Sequence, residues 1–316
     1  MLVELAVGYP ERLTARIGHP VTWMGCLIAW LEARLNDTAK EGEARRRAGL
    51  MALLLLLGVV GVCAFLLETA LLLLPFGLLF AALAASTLIA QRSLYSHVAA
   101  VAEALEKGSF RGARVAVAQI VGRDATELDE AGIARAAIES LAENFSDGVV
   151  SPVFWLGLAG LTGGALYKAV NTADSMIGHR SPRYADFGRA SAKLDDAVNL
   201  PGARLSGLLL AGAAAITKEA SPEQAWHAMW RDAAKHASPN AGYPEAAMAG
   251  ALGVALGGPR IYAGSRLDGP WLGDGRRDAN AGDIRAALRL YVRADGLLIA
   301  LVTLAAALSL FLSGTV

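Results

Sequence analysis

The sequence predicts an all-α, polytopic integral membrane protein, and three observations support that prediction. Hydrophobic residues make up 54% of the 316 residues and charged residues only 18%, below the roughly 25% of an ordinary soluble domain. The apolar residues form long blocks with the charged residues between them, as is typical of a chain that crosses a membrane several times. Strand patterns are nearly absent, and apolar residues in 125–144 recur at helical spacing, so the cytoplasmic loops are expected to be helical too.

Three apolar blocks are long enough to cross a bilayer as helices. They cover about 50–67, 70–90 and 296–314, and none contains a charged residue. Each approaches the roughly 20 residues needed to cross about 30 Å of hydrocarbon. Glu68 and Thr69 separate the first two blocks, which predicts a helical hairpin with Glu68 at its turn.

Three other apolar blocks, at 149–167, 205–217 and 246–258, are broken or short. The first carries Pro152 and four glycines, and the other two have only about 13 residues each. Broken or short helices are tolerated at membrane depth where they line a protein-walled cavity. We therefore expect these blocks to be full or partial crossings that build such a cavity, within a single membrane-embedded domain over 1–316.

The distribution of Lys and Arg predicts how the first two crossings are oriented. Arg45, Arg46 and Arg47 precede the hairpin and Arg92 follows it. The positive-inside rule places both sides in the cytoplasm and Glu68 outside. The Arg-rich stretch 168–204 leaves the middle of the chain undecided, so the number of crossings stays open between about four and eight.

Composition and missing motifs exclude several classes of protein. The 29 basic residues balance the 29 acidic ones, so no overall positive field attracts nucleic acid. Cys26 and Cys63 form neither a disulfide framework nor a CxxC pair. The chain also lacks a P-loop, a G-x-G-x-x-G turn, a G-x-S-x-G elbow and an H-E-x-x-H helix, so any nucleotide chemistry must use an unusual site.

Four polar clusters lie beside apolar blocks, where burying polar groups is costly unless they bind something. The first contains His19, just before a helix predicted over 21–35; a plain helix cap is the alternative interpretation. The fourth covers 231–245, where proline and glycine predict a turn at the mouth of the 246–258 block. An ordinary surface turn is the alternative there.

The second cluster contains Glu139, Glu143 and Asp147. Residues four apart share a helix face, so the first two are neighbours, and Asp147 would join them if Gly148 did not end the helix. Carboxylates this close repel one another unless a cation lies among them, and Mg²⁺ prefers such oxygen ligands. A solvated acidic face is the alternative, because several charged residues lie just upstream.

The third cluster follows the 149–167 block directly and begins with Asn171, Asp174 and Ser175. Arginines and a lysine downstream are suited to phosphate or carboxylate groups, and the Asp195–Asp196 pair is suited to a metal ion. A capping turn followed by a solvated loop is the alternative interpretation.

These clusters, in this order, resemble the CobD/CbiB family of adenosylcobinamide-phosphate synthases. The matching stretches are GHPVTWMG (18–25), ESLAENFSDGVVSPVFW (139–155), ALYKAVNTADSMIGHRSPRYADFGRASAKLDD (165–196), KHASPNAGYPEAAMAGALG (235–253) and PWLGDG (270–275). The resemblance runs from about residue 8 to about residue 310, and a match in so many parts is far more specific than any single motif. It is weakest in the Leu-rich hairpin.

The resemblance implies a multi-pass protein of the bacterial inner membrane whose active site faces the cytoplasm. Its expected reaction joins the free propionate of adenosylcobyric acid to (R)-1-aminopropan-2-ol or its O-phosphate, with ATP and Mg²⁺ as cofactors. The product is adenosylcobinamide or its phosphate. Besides these substrates and the lipid bilayer, other enzymes of cobalamin biosynthesis are candidate partners, whereas nucleic acid is not.

A carboxylate and an amine do not condense unaided, so the acid must be activated, most simply as an acyl phosphate, and then aligned with the amine. The residues assigned to catalysis are Glu139, Glu143, Asp147, Asp174 and His236, the first three as the magnesium ligands with Asp174 as an alternative. The base that takes the amine proton is His236 or His19. The residues assigned to substrate binding are His19, Asn144, Asn171, Ser175, Arg180, Arg183, Lys193, Asn240 and Glu245.

Two other functions remain open on the sequence. Short apolar segments broken by Gly or Pro are also the pattern of a transporter with its substrate site at the bilayer midplane, although no internal inverted repeat is evident. A membrane scaffold for corrinoid intermediates and their enzymes is the second alternative, but such a scaffold has no need of paired carboxylates beside an apolar block.

Overall fold

The computed structural model describes residues 1–9, 16, 18–122, 125–262, 265–267 and 269–314. These residues form mainly helices, which confirms the all-α prediction. The helices are α1 (Leu2–Val7), α2 (Pro20–Leu35), α3 (Gly42–Leu72), α4 (Gly77–Ser86), α5 (Gln91–Glu106), α6 (Phe110–Ala118), α7 (Glu130–Phe145), α8 (Ser151–Ile177), α9 (Arg189–Val198), α10 (Leu200–Ala215), α11 (Pro222–Asp232), α12 (Gly242–Leu252) and α13 (Ala281–Leu312).

Two very short antiparallel sheets follow α12. Strand β1 (Leu256–Gly257) pairs with β4 (Trp271–Leu272), and β2 (Arg260–Tyr262) pairs with β3 (Ser265–Leu267). In the first sheet Leu256 lies opposite Leu272, and both side chains are buried. A π-helical turn (Ser146–Val150) follows α7, and a 3₁₀ turn (Ala233–Lys235) follows α11.

The chain divides into two compact units, each made of two separate segments. Unit 1 contains residues 1–90 and 151–201, and unit 2 contains residues 91–150 and 202–316. Neither unit is a contiguous piece of sequence. The expectation of one membrane-embedded domain stays a prediction.

Unit 1 is built around a core shared by α2, α3 and α8. Its members are small or aliphatic side chains together with one aromatic ring, and they include Ile28, Leu56, Ala169 and Phe187. Gly49 on α3 allows the closest approach, because a Cβ there would collide with the backbone carbonyl of Phe187. Small residues that let backbones approach closely are common at helix contacts in membrane proteins.

Unit 2 contains α5, α6, α7, α11, α12 and α13. In its core the rings of Phe145 and Tyr291 meet edge to face, with 5.4 Å between their centroids. The buried amide Nε2 of Gln91 donates to both carboxylate oxygens of Asp295, at 2.7 Å each, and the Tyr291 hydroxyl donates to the Gln91 carbonyl. These hydrogen bonds satisfy polar groups that join α5 to α13 at a buried position.

Four helical stretches of the described chain are long and apolar enough to cross a membrane. They are 42–72, 77–106, 130–177 and 281–312. The predicted span 50–67 lies in the first stretch, most of 70–90 lies in the second, nearly all of 296–314 lies in the fourth, and the 149–167 block lies in the third. The 205–217 block falls largely in α10, a shorter apolar helix. The 246–258 block forms α12, which rises only roughly 16 Å, and then β1, a length that fits a half-span better than a full crossing.

Two predicted helix boundaries are wrong. α3 continues through Glu68 to Leu72, and the turn of the hairpin lies after it, because hydrogen bonds within unit 1 satisfy the Glu68 carboxylate inside the helix. Gly148 does not end α7; it lies in the π turn, and α8 starts immediately afterwards. π turns of this kind are rare and occur frequently at functional sites.

Candidate functional site

In unit 1, the second half of α8 brings its polar residues against α9. Asn171 Nδ2 donates to Asp195 Oδ1 at 3.4 Å, and Asn199 Nδ2 donates to Asp195 Oδ2 at 2.9 Å. The Tyr167 hydroxyl donates to Asn199 Oδ1 at 2.7 Å. Tyr167 and Asn171 are one helical turn apart on α8, as are Asp195 and Asn199 on α9, so each pair shares a face of its helix.

The carboxylates of this α8–α9 cluster are Asp174, Asp195 and Asp196. Burial raises the pKa of Asp195 to about 7, and the charge of Asp174 adds to the shift, against the hydrogen bonds from the two asparagines. Burial also raises the pKa of Asp196, while Arg180 opposes the rise. The cluster is therefore rich in carboxylate charge, and a cation would stabilise its ionised form.

The predicted phosphate ligands of unit 1 have different environments. Arg183 forms a two-pronged pair with Glu32, at 2.9 Å for both the Nε–Oε1 and the Nη2–Oε2 distance, and this pairing raises the pKa of Arg183. Lys193 is exposed, and the Ser175 hydroxyl donates to the carbonyl of Asn171. Arg180 lies close enough to the α8–α9 cluster to oppose the rise in the pKa of Asp196. Their roles as phosphate or substrate ligands stay predictions.

His19 caps α2, as the alternative interpretation of its cluster expected. Its Nδ1 accepts a hydrogen bond from the Val21 N–H at 3.3 Å, and its ring meets Tyr9 edge to face. An imidazole whose Nδ1 accepts carries its proton on Nε2, and that nitrogen is buried without a hydrogen-bond partner among the described residues. Burial, and next the charge of Lys168, lower the pKa of His19. A neutral donor of this kind suits hydrogen bonding to a substrate oxygen better than proton abstraction.

In unit 2, the three carboxylates of the second cluster occupy different environments. Glu139 is buried, and its Oε1 accepts from the Gly257 N–H of β1 at 2.8 Å. Glu143 is exposed, while Asp147 lies half-buried in the π turn. Asn144 donates to the carbonyl of Ser140.

No group of three or more Asp, Glu, His or Cys side chains in the described chain is placed to hold a metal ion. Magnesium bound with a nucleotide needs fewer protein ligands, since it commonly uses one or two carboxylates together with substrate phosphates and water. The assignment of Glu139, Glu143 and Asp147 to magnesium therefore stays a prediction.

The fourth cluster forms a compact set of contacts between α11 and α12. His236 Nε2 lies 3.8 Å from the buried carboxylate of Glu245, and its Nδ1 accepts from the Ser238 N–H at 3.0 Å. Asn240 Oδ1 accepts from Arg204 Nη1 at 3.0 Å, and the same guanidinium lies over the Tyr243 ring at 4.2 Å. The structure thus brings together His236, Asn240 and Glu245 as predicted. It adds two participants that the sequence analysis did not select, Arg204 and Tyr243.

Asp232 holds the PWLGDG stretch against the end of α11. Its buried carboxylate accepts from Arg231 at 2.6 Å, Lys235 at 2.7 Å and the Gly273 N–H at 2.8 Å. Burial works to raise the pKa of Asp232, but these hydrogen bonds outweigh it and hold the pKa well below its usual range. In the sequence, Asp232 lies between Arg231 and Lys235, and this spacing could have indicated that the two cations pair with the acid.

We expect Asp232→Ala to lower the free energy of unfolding by roughly 2 kcal/mol, because it removes the hydrogen bonds from Arg231 and Lys235 and leaves the buried Gly273 N–H without its acceptor. Thermal and denaturant unfolding in detergent would measure the loss. The matched control is Asp274→Ala, which removes an exposed partner of Arg231 and should cost about 1 kcal/mol or less. Because the folded pKa is depressed, the stabilisation by Asp232 should be present above about pH 4 and decline as pH falls further. Equal losses of unfolding free energy in Asp232→Ala and Asp274→Ala would contradict the stabilising role of the Asp232 contacts.

Comparisons with known proteins agree with the resemblance in the sequence. The model of the family described as CobD/Cbib protein matches residues 1–291. A cobalamin biosynthesis protein CobD of Rhodobacter capsulatus is 50% identical over 295 residues, covering 92% of this chain and 90% of its own. One from Brucella anthropi is 48% identical over 316 residues, covering 98% and 96%, and one from a Sinorhizobium species is 49% identical over 294 residues, covering 92% and 91%. No solved structure matches the chain.

Proposed function

Because this chain belongs to the CobD/CbiB family of cobalamin biosynthesis proteins, we propose that it is an ATP-dependent amide ligase of that pathway. Its substrates are adenosylcobyric acid and (R)-1-aminopropan-2-ol or its O-phosphate, and its product is adenosylcobinamide or its phosphate. It acts in the inner membrane, with the site on the cytoplasmic side. The observation that carries the proposal is the family membership over nearly the whole chain, joined to polar clusters beside apolar helices in both units.

The reaction needs groups that stabilise charge or transfer protons at three places: the phosphates of ATP, the acid that becomes activated, and the attacking amine. In unit 1, Asp174 with the neighbouring Asp195 and Asp196 provides carboxylates for nucleotide-bound Mg²⁺, and Arg180 provides a cation beside them. Magnesium neutralises phosphate charge when it is bound. The neutral His19 donates from Nε2 to a substrate oxygen.

In unit 2, we assign the uptake of the proton from the attacking amine to the pair of His236 and Glu245, whose Nε2 and carboxylate lie 3.8 Å apart. Arg204, ordered by Asn240 and Tyr243, offers a guanidinium for a phosphate or carboxylate group of either substrate. Glu143 is exposed, and we assign its carboxylate to a metal ion or a cationic amine.

The test is an assay of the purified protein in nanodiscs with adenosylcobyric acid, aminopropanol phosphate and Mg-ATP. Mass spectrometry should detect the amide together with ADP, and omission of any one component should abolish the product. A parallel series with aminopropanol identifies the amine that is used. A folded preparation that forms no amide with either amine contradicts the ligase. Movement of corrinoid across the bilayer without ATP hydrolysis would instead identify a transporter.

A further inference from the structure

α8 is broken in the middle, and the break exposes backbone N–H groups within a candidate membrane span. Ala159 (φ −140°, ψ 28°) and Gly160 (φ 63°, ψ −159°) leave the helical conformation, and a second helical half starts at Leu161. The first N–H groups of any helix have no partner within the helix. In a membrane they must be satisfied by protein, because no bulk water reaches them.

Glu68 of α3 satisfies these groups. Its Oε1 accepts from the Leu161 N–H at 2.9 Å, and its Oε2 accepts from the Thr162 N–H at 3.1 Å and from the Thr162 hydroxyl at 2.8 Å. A carboxylate at a helix N-terminus is further stabilised by the helix dipole. The partner is specific, since both oxygens of one side chain are used by two consecutive residues.

The residues around Glu68 make a carboxylate at this position of the helix energetically costly. Phe65, Leu66 and Leu67 next to Glu68 are exposed apolar side chains of a candidate span, and a carboxylate among such neighbours is expensive in a bilayer. Gly160 adopts the positive φ that favours glycine, and a Cβ there would collide with Glu68 Oε1. The break, the glycine and the carboxylate therefore fit one another.

The half of α8 that Glu68 caps is the half that carries Asn171 and Asp174. We propose that Glu68 is a positioning residue: its carboxylate fixes the start of the second half of α8 and so sets where that half presents Asn171 and Asp174 to α9. The link to catalysis rests on the proposed ligase function, whereas the capping itself does not. The amine, the acid and the nucleotide need make no contact with Glu68.

The structural part of the test uses electron–electron distances within unit 1. Spin labels on Cys63 of α3 and on Met176→Cys of α8, both at exposed positions, report the separation of the two helices in a Cys26→Ser background. Glu68→Ala should broaden or shift the distance distribution, whereas Glu68→Gln should change it less, because the amide oxygen still accepts from Leu161 although the amide nitrogen cannot accept from Thr162. Glu43→Gln, an exposed change on the same helix, is the matched control.

The functional part is the kcat for amide formation per folded protein. Glu68→Ala should lower kcat by roughly tenfold or more, as misplacement by about 1 Å is known to do, while the KM for ATP changes little and Glu68→Gln recovers part of the rate. An unchanged distance distribution in Glu68→Ala overturns the proposal. If Glu68→Ala does not fold, Glu68→Asp replaces it, since the shorter carboxylate keeps its charge but loses its reach; a wild-type distribution there overturns the proposal too. If the wild type forms no amide, the proposed ligase function is wrong, but the distance measurements still test whether Glu68 caps the second half of α8.

Discussion

The Asp174→Asn and Glu143→Gln variants are expected to form the amide at least about 100-fold more slowly than the wild type. Each change keeps the size of the side chain and removes only its ionisable oxygen. Asp174 acts on the buried Asp195 beside it, so its loss removes carboxylate charge from the place where a nucleotide-bound cation would bind. Glu143 is exposed on the face of α7, where an amide can replace its hydrogen bonds but not its charge.

Initial rates at saturating substrates, measured per folded protein, test this expectation. Asp37→Asn and Glu130→Gln are the matched controls, because each is an acid-to-amide change at an exposed position of the same unit as its counterpart. Both controls should retain the wild-type rate and melting temperature. If Asp174→Asn keeps the wild-type rate, the catalytic role assigned to Asp174 in unit 1 is wrong. If Glu143→Gln keeps it, the role assigned to Glu143 in unit 2 is wrong.

Asp174 and Glu143 belong to different units, so the two variants also help to distinguish the step that each residue serves. A variant that loses ADP formation has lost activation of the acid, whereas one that forms ADP without amide has lost transfer to the amine. The structure offers a reason to expect different outcomes, because Asp174 adds to the carboxylate charge around the buried Asp195, whereas Glu143 is an exposed side chain of α7.

The membrane helices could be predicted from sequence because their signal is local. An uncharged run of about 20 residues identifies a crossing whatever its neighbours are, and the runs that include Leu54 and Leu304 lie in such helices. The boundary at Glu68 could not be predicted, because a lone acid in an apolar run looks like a turn. It is kept inside α3 by N–H groups 93 and 94 residues away in the sequence.

For the site residues too, local features could be predicted from the sequence, whereas contacts between distant residues could not. The residue types and their clustering were visible, and the contacts His236–Glu245 and Asn171–Asp195 lie within or between the selected stretches. The pairing of Arg183 with Glu32 spans 151 positions and that of Gly257 with Glu139 spans 118. No periodicity or spacing encodes contacts at such distances; they depend on tertiary packing. The sequence therefore indicated candidate site residues but not the partner of each group.

The pH dependence of stability is expected to reveal Asp195 directly. Burial raises its folded pKa to about 7, whereas an unfolded Asp titrates near pH 4. Between these values the folded state binds more protons than the unfolded state, so the free energy of unfolding falls as pH rises. The loss reaches at most about 4 kcal/mol, from three pKa units at 1.36 kcal/mol each, and it is complete above about pH 7.

Asp195→Asn should remove this slope, so that the variant unfolds at about the same temperature as the wild type near pH 4 and at a higher temperature near pH 8. Denaturant unfolding in detergent at several pH values would measure the difference, with Asp37→Asn expected to follow the wild type throughout. If the α8–α9 cluster binds the cation of Mg-ATP, magnesium should stabilise the wild type near pH 8 and much less near pH 5, because a metal ion binds the ionised carboxylate. Parallel curves for the wild type and Asp195→Asn would show that Asp195 is ionised at neutral pH without help, and the cluster would then need no cation to hold its charge.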